Sequence, residues 1–314
     1  MLKNARYPAK IVIGVCFQYD FEEDKDCFTD WPTGLFEGQI KMIRVDYRKA
    51  SGPCWARHTC QSLYSGETYY LALDSHMRFI NHWDSVLINL LKKCPSKKPI
   101  ITTYPPGYRL PDTITSETKP VLTCAKEMGS DGMLRLVGKL LNQNFQNPVA
   151  SAFWVSGFSF SAASVIAEVP YDPYLPHLFF GEESTMTARL WTKGWDFFAP
   201  GINIIYHLWE RTHRPNFREL PDTKEAEARS QRRAKFILGM IEKSQVEEEA
   251  LVEIEKYGIP QDSQRSLEDY QKFSGVNFKD GTIQEKAFYS GQPKTIFMDY
   301  LLEMIYGTMN AIKK

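Results

Sequence analysis

The sequence predicts an α/β protein, an open sheet flanked by helices. Three features point there. "KIVIGVCFQ" at 10–18 is an unbroken β-branched run that stops at a polar, acidic segment. "QIKMIRVDY" at 39–47, "CWARHTCQSLYSG" at 54–66 and "TYYLALD" at 68–74 give strand, helix and strand in quick succession, the order of a largely parallel sheet. Beyond about residue 215, both charge signs crowd onto helical apolar spacing, as in helices packed by one face against a core.

Each element has a local reason. The 10–18 run suits a strand buried on both faces. Segment 39–47 mixes alternation with apolar residues and reads as a second strand. Trp55, Cys60 and Leu63 recur at helical spacing, and Gly66 stops the helix. After the strand at 68–74, "SHMRFINHWDSVLINLLKKC" reads as a helix that ends in lysines. "PIITTYPPGY" at 99–108 is a strand entering a Pro-Gly turn, and 116–139 reads as strands and turns of a ligand wall or lid. An aromatic strand, a Gly turn and a short helix follow at 150–169, then a helix at 179–194 with Met186, Leu190 and Trp191 as its apolar stripe. "DFFAPGINIIYHLWE" at 196–210 holds another strand. The composition shift divides the chain into 1–215 and a helical extension, 216–314. No internal repeat or low-complexity tract interrupts it.

Bulk properties exclude some functions. With 38 basic and 38 acidic residues the chain carries no net charge, so nothing favours a nucleic-acid partner. No apolar run is long enough to span a membrane, and the first apolar run ends at Gln18, Tyr19 and Asp20 without a signal-peptide cleavage pattern. The six cysteines (Cys16, Cys27, Cys54, Cys60, Cys94 and Cys124) form no CxxC pair, so a thiolate zinc site is not expected. Free thiols in a reducing, cytoplasmic setting are the plainer reading; a Cys27–Cys54 disulfide in a secreted chain is the alternative.

Asp74 and His76 lie two apart at the C-terminal end of the predicted third strand, where open α/β sheets bind ligands. In extended chain, positions i and i+2 point the same way, so both reach one cation. A carboxylate and an imidazole suit a borderline divalent ion such as Mn²⁺ better than Ca²⁺. The competing reading makes Asp74 the cap of the next helix and His76 a first-turn residue. His207 ends another β-branched run and is either structural or a third ligand at the same sheet edge. Glu182 and Glu183 follow Gly181 at a helix start, where acids are favoured by the dipole and where a carboxylate can also face a substrate.

The segments "WARHTCQSLYSGETYYLALDSHMRF", "FFGEESTMTARLWTKGWDFFAPGINIIYH" and "YGIPQDSQRSLEDYQKFSGVNF" resemble the family of GlcNAc-transferases whose cytoplasmic members modify hydroxyproline of a protein acceptor. More distantly the chain resembles the polypeptide GalNAc-transferases. The resemblance spans about 55–279. It implies a GT-A-like fold, an open mixed sheet with flanking helices, carried by 1–215. It implies a glycosyltransferase with a D-x-H metal motif: Asp74, His76 and His207 would hold Mn²⁺, ahead of Mg²⁺, against the diphosphate of a UDP-sugar such as UDP-GlcNAc.

Phe179-Phe180-Gly181-Glu182 is similar to the mucin-type Trp-Gly-Gly-Glu pattern by its spacing to Arg189 and Trp191, which gives Glu182 the stronger catalytic claim and Glu183 a weaker one. Arg44, Arg57, Asp74, Ser75, Trp154 and Gly157 fall where the resemblance implies donor contacts; surface charge for the arginines and core packing for Trp154 stay open beside that. Family members begin with one more strand and a uridine-contacting loop, so the first βα unit is expected to be missing. The implied activity is metal-dependent, retaining transfer of GlcNAc to a protein or glycan hydroxyl. The alternatives are a binding-only relative that holds a sugar nucleotide or glycan, and a metal-free α/β domain.

Overall fold

The computed structural model describes residues 1–25, 38–115, 117–210, 223–259 and 263–298. Cys27, the expected boundary at 215 and the last sixteen residues of the extension lie outside the described residues. Cys54 is a free, buried thiol, as is Cys94.

Strands β1 (Ile13–Tyr19) and β2 (Ile40–Asp46) lead to helix α1 (Pro53–Gln61), then to β3 (Tyr69–Leu73), β4 (Met77–Phe79), α2 (Trp83–Lys93) and β5 (Pro99–Thr102). Two hairpins follow, β6 (Tyr108–Arg109) with β7 (Thr113–Ile114) and β8 (Val121–Met128) with β9 (Leu134–Leu140). Next come β10 (Val149–Ser151), β11 (Phe158–Ala162), α3 (Val165–Glu168), α4 (Glu182–Thr192), β12 (Asp196–Ala199) and β13 (Ile205–His207). The C-terminal part holds α5 (Lys224–Ile237), α6 (Ile254–Tyr257), α7 (Leu267–Ser274) and the small hairpin of β14 (Val276–Asn277) and β15 (Thr282–Ile283).

The central sheet has the order β10-β12-β5-β11-β3. It is mixed rather than largely parallel. β12 and β5 pair in parallel, but β11 lies between β5 and β3 and is antiparallel to both. The crossover from β2 through α1 ends on β3, the edge strand of this sheet, whereas β2 itself pairs in parallel only with β1. This corrects the reading of β1 as a strand buried on both faces: it belongs to a separate two-stranded sheet, and its residues are half-buried or exposed. Gly14 approaches Leu63 and the end of α1.

A second correction concerns 75–94. The helix begins only at Trp83; residues 77–79 form β4, with Met77 and Phe79 buried and Arg78 half-buried. That alternation has period two, and a short run of it sits before the helical pattern proper. Asp74 is therefore followed by a strand, and its reading as a helix cap is removed.

Alternation along β5 and β12 fills both sides of the sheet. Ile100 and Phe197 join a core with Trp154, Leu190, Trp191 and Trp195, completed by Ala234, Tyr270 and Phe278 from the C-terminal part. Ile101 and Phe198 point to the other face, with Trp83, Leu87 and Leu91 of α2 and Ile205 of β13. The buried Arg233–Asp172 ion pair, at 2.7 Å, ties α5 to the segment before α4.

Candidate active site

The site is assembled where β3, β4 and β13 meet. Asp74 stands just past the end of β3. β4 then runs antiparallel to β13 with Met77 opposite His207, and the Leu208 amide donates to the His76 carbonyl at 3.1 Å. This pairing brings the His76 and His207 rings to 4.7 Å between centroids. The ligand atoms of Asp74, His76 and His207 all lie within 4.8 Å of one another. Sequence spacing placed the first two together; the β4–β13 ladder adds the third.

The electrostatics suit a cation. Burial would raise the Asp74 carboxyl, but the His207 contact and Arg57 outweigh it and hold the group well below the usual carboxylate range. His207 is 1% exposed. Its Nε2 is 3.5 Å from Asp74 Oδ2, and its buried Nδ1 has no hydrogen-bond partner among the described residues. A buried imidazole nitrogen left without a partner is costly unless something binds it. An ionised carboxylate with two imidazoles is a donor set for a borderline divalent ion, so the residues fit the expected metal.

Arg57 of α1 joins this group to α4. Its Nη2 donates to Asp74 Oδ1 at 2.8 Å and its Nη1 to Glu182 Oε1 at 3.0 Å. Glu182 is 5% exposed. Burial raises its carboxyl, while Arg57 pulls the other way. Gly181 opens α4 at φ 111°, a conformation that favours glycine, and a Cβ there would sit 3.1 Å from Met133 Sδ. That turn aims both glutamates back toward the sheet edge. Glu183 accepts from the Tyr104 hydroxyl through Oε2 and from the Ser156 amide through Oε1 at 3.1 Å.

The other expected site residues are distributed unevenly. Gly157 touches the site: its carbonyl accepts from the Asp74 amide at 3.2 Å, and a Cβ would lie 3.0 Å from Asp74 Oδ2. Ser75 is exposed, with its hydroxyl 3.1 Å from His76 Nδ1. Arg44 is exposed on β2, in register with Phe17 of β1, in the separate small sheet. The Trp154 side chain does not line an open wall. It is 2% exposed, donates to Ser159 Oγ at 2.8 Å and packs toward Tyr171 inside the core.

A family description reading "Glycosyltransferase (GlcNAc)" matches residues 15–280. The chain belongs to that glycosyltransferase family. A solved structure described as GalNAc-T7 with UDP, GalNAc and Mn2+ is similar to this glycosyltransferase, with a TM-score of 0.51 at 15% identity. The match covers 75% of this chain and 43% of that one, so this chain spans less than half the length of that neighbour. The likeness shows a shared GT-A fold. No curated protein matches the chain. Among the described residues, no helix is long and apolar enough to cross a membrane.

Sequence reasoning about the glycosyltransferase missed Tyr104, Ser156 and Trp209. Tyr104 follows β5, another strand of the central sheet, and its ring meets Trp209 at 5.9 Å, which in turn meets His207 at 4.2 Å. A tyrosine just beyond a strand's carboxyl end was a usable signal in "PIITTYPPGY".

Proposed function

We propose that this chain is a metal-dependent, retaining glycosyltransferase that moves N-acetylglucosamine from UDP-GlcNAc to a hydroxyl of a protein acceptor, such as hydroxyproline, serine or threonine. One observation carries the reading: Asp74, His76 and His207 converge, with Arg57 tying Asp74 to the buried Glu182. The family description supports GlcNAc as the sugar. The neighbour's bound UDP and Mn²⁺ support a nucleotide donor and a divalent ion, Mn²⁺ ahead of Mg²⁺.

The chain's own residues have these parts. Asp74 stays ionised and, with the two imidazoles, would hold the ion. When bound, that ion supplies charge compensation for the departing diphosphate. Arg57 fixes the spacing of Asp74 and Glu182, and places Glu182 as the carboxylate beside the sugar and acceptor. Gly157 keeps the wall by Asp74 free of a side chain. Ser75, exposed beside His76, contributes a donor contact, and Arg44, exposed on the separate β1–β2 sheet, is assigned a donor contact by the family resemblance alone. Retention rests on the family resemblance and is accounted for by front-face attack, with the leaving phosphate accepting the hydroxyl proton. The enzyme's contribution is mainly positioning and preorganised charge. Residues 1–215 hold every site residue, and the segment from 216 onward is the supporting extension.

The test is UDP-GlcNAc hydrolysis with Mn²⁺ by the parent and by His76→Ala. A loss on the order of 100-fold in the variant is expected from removing a metal ligand; equal metal-dependent rates reject the assignment. A second reading, a relative that binds a sugar nucleotide or glycan without turnover, is favoured by the separation of β1–β2 from the five-stranded sheet. Tight calorimetric binding of UDP and Mn²⁺ without turnover on any acceptor selects it.

A further inference from the structure

Two loops form the walls around Asp74 and His207, and the Glu183 side chain bonds to both. The first is 103–107. The His207 amide donates to the Pro106 carbonyl at 2.9 Å, and Trp209 Nε1 donates to the Pro105 carbonyl at 3.0 Å. This loop therefore carries the backbone support of His207. The second is 154–157, whose last residue accepts from the Asp74 amide and comes within van der Waals reach of its carboxylate.

Glu183 stands between the two loops. One oxygen takes the Tyr104 hydroxyl from the first loop, and the other takes the Ser156 amide from the second. Both Glu183 and Tyr104 are only partly buried. A second link, between the Thr102 hydroxyl and Val155, closes the loops nearer the sheet, at 3.1 Å in each direction. Glu183 is the outer clasp.

We propose that Glu183 and Tyr104 act as a positioning pair, setting the separation between Asp74 and His207 and so the affinity of the pocket for a divalent cation. The proposal rests on the metal-dependent reading above and gives Glu183 a part distinct from that of Glu182. A clasp one step removed from the ligands acts through them, because a ligand set must be held at its working spacing by groups that are themselves fixed. Burial raises the Glu183 carboxyl to about 7, with the Tyr104 bond opposing. The protonated carboxyl still accepts from the Ser156 amide, so the clasp does not require a charge.

The test is Mn²⁺ alone, titrated into the full chain and followed by the loss of the free-ion electron paramagnetic resonance signal. Thermal melting is recorded without metal. Glu183→Ala and Tyr104→Phe are each expected to weaken Mn²⁺ binding by about tenfold. The double variant should be no weaker than Glu183→Ala, because both break one clasp. Glu183→Gln, whose amide oxygen still accepts from the Ser156 amide while its NH2 donates to the Tyr104 hydroxyl oxygen, should bind within a factor of about two of the parent. Parent-like Mn²⁺ affinity in a folded Tyr104→Phe overturns the proposal, even where Glu183→Ala does not fold. A parent that binds no Mn²⁺ overturns the metal-dependent reading and this proposal with it, a result distinct from equal binding by parent and variants.

Discussion

Two adjacent glutamates meet different surroundings at the start of α4. Glu182 faces the Arg57 guanidinium, whereas Glu183 faces a phenol and a backbone amide. For Glu183, burial is the largest influence and lifts the carboxyl from an ordinary 4.5 to about 7. The sign of the consequence is fixed. Between those two values the folded chain keeps a proton that the unfolded chain releases, so this group's contribution to stability falls as pH rises. Relative to Glu183→Gln, the parent should lose up to about 3 kcal/mol between pH 5 and pH 8. Urea melts of both proteins at the two pH values check it; a parent–variant difference that does not change with pH contradicts it. At this scale the sequence exposed what is local: Asp74 and His76 at extended spacing, and two acids after Gly181. It could not expose Tyr104 as the partner of Glu183, because that contact depends on how β5 and α4 pack. Trp154 stayed open between two readings for a related reason: an aromatic beside a Gly turn reads the same whether it lines a pocket or, as here, fills the core.

At the scale of elements, the site depends on one turn and one ladder. The turn is Gly181, held at φ 111° ahead of α4. Gly181→Ala forces a side chain into a conformation costing about 1–2 kcal/mol and presses on Met133. Chemical denaturation should show that loss together with reduced turnover, since Glu182 and Glu183 are both aimed by the turn; unchanged stability would mean that the turn is not strained by a Cβ. The ladder is β4 with β13. The helix α2 was legible from its apolar period, but β4 was absorbed into it, since three residues of alternation carry little weight beside eleven of helix. The same loss concealed the best argument against Asp74 as a cap.

The whole molecule is a mixed five-stranded sheet covered on one face by α4 and the C-terminal helices, and on the other by α2 with the β4–β13 pair. The α/β class was legible because strand and helix periods alternate along the chain. The position of β11 between β3 and β5 was not, since strand order is decided by pairings remote in sequence. Nor was the separation of β1 and β2 from that sheet, which leaves the β-branched run of β1 half-buried or exposed rather than buried. The candidate metal centre lies at the sheet's β3 edge and would draw one ligand from beyond β3, one from the approach to β4 and one from β13. Its existence is the central claim. Crystals of the full chain grown with Mn²⁺ and UDP, measured at the manganese absorption edge, test it most directly. The strongest anomalous peak is predicted between Asp74, His76 and His207; no peak there, or one only at another place on the chain, contradicts the account.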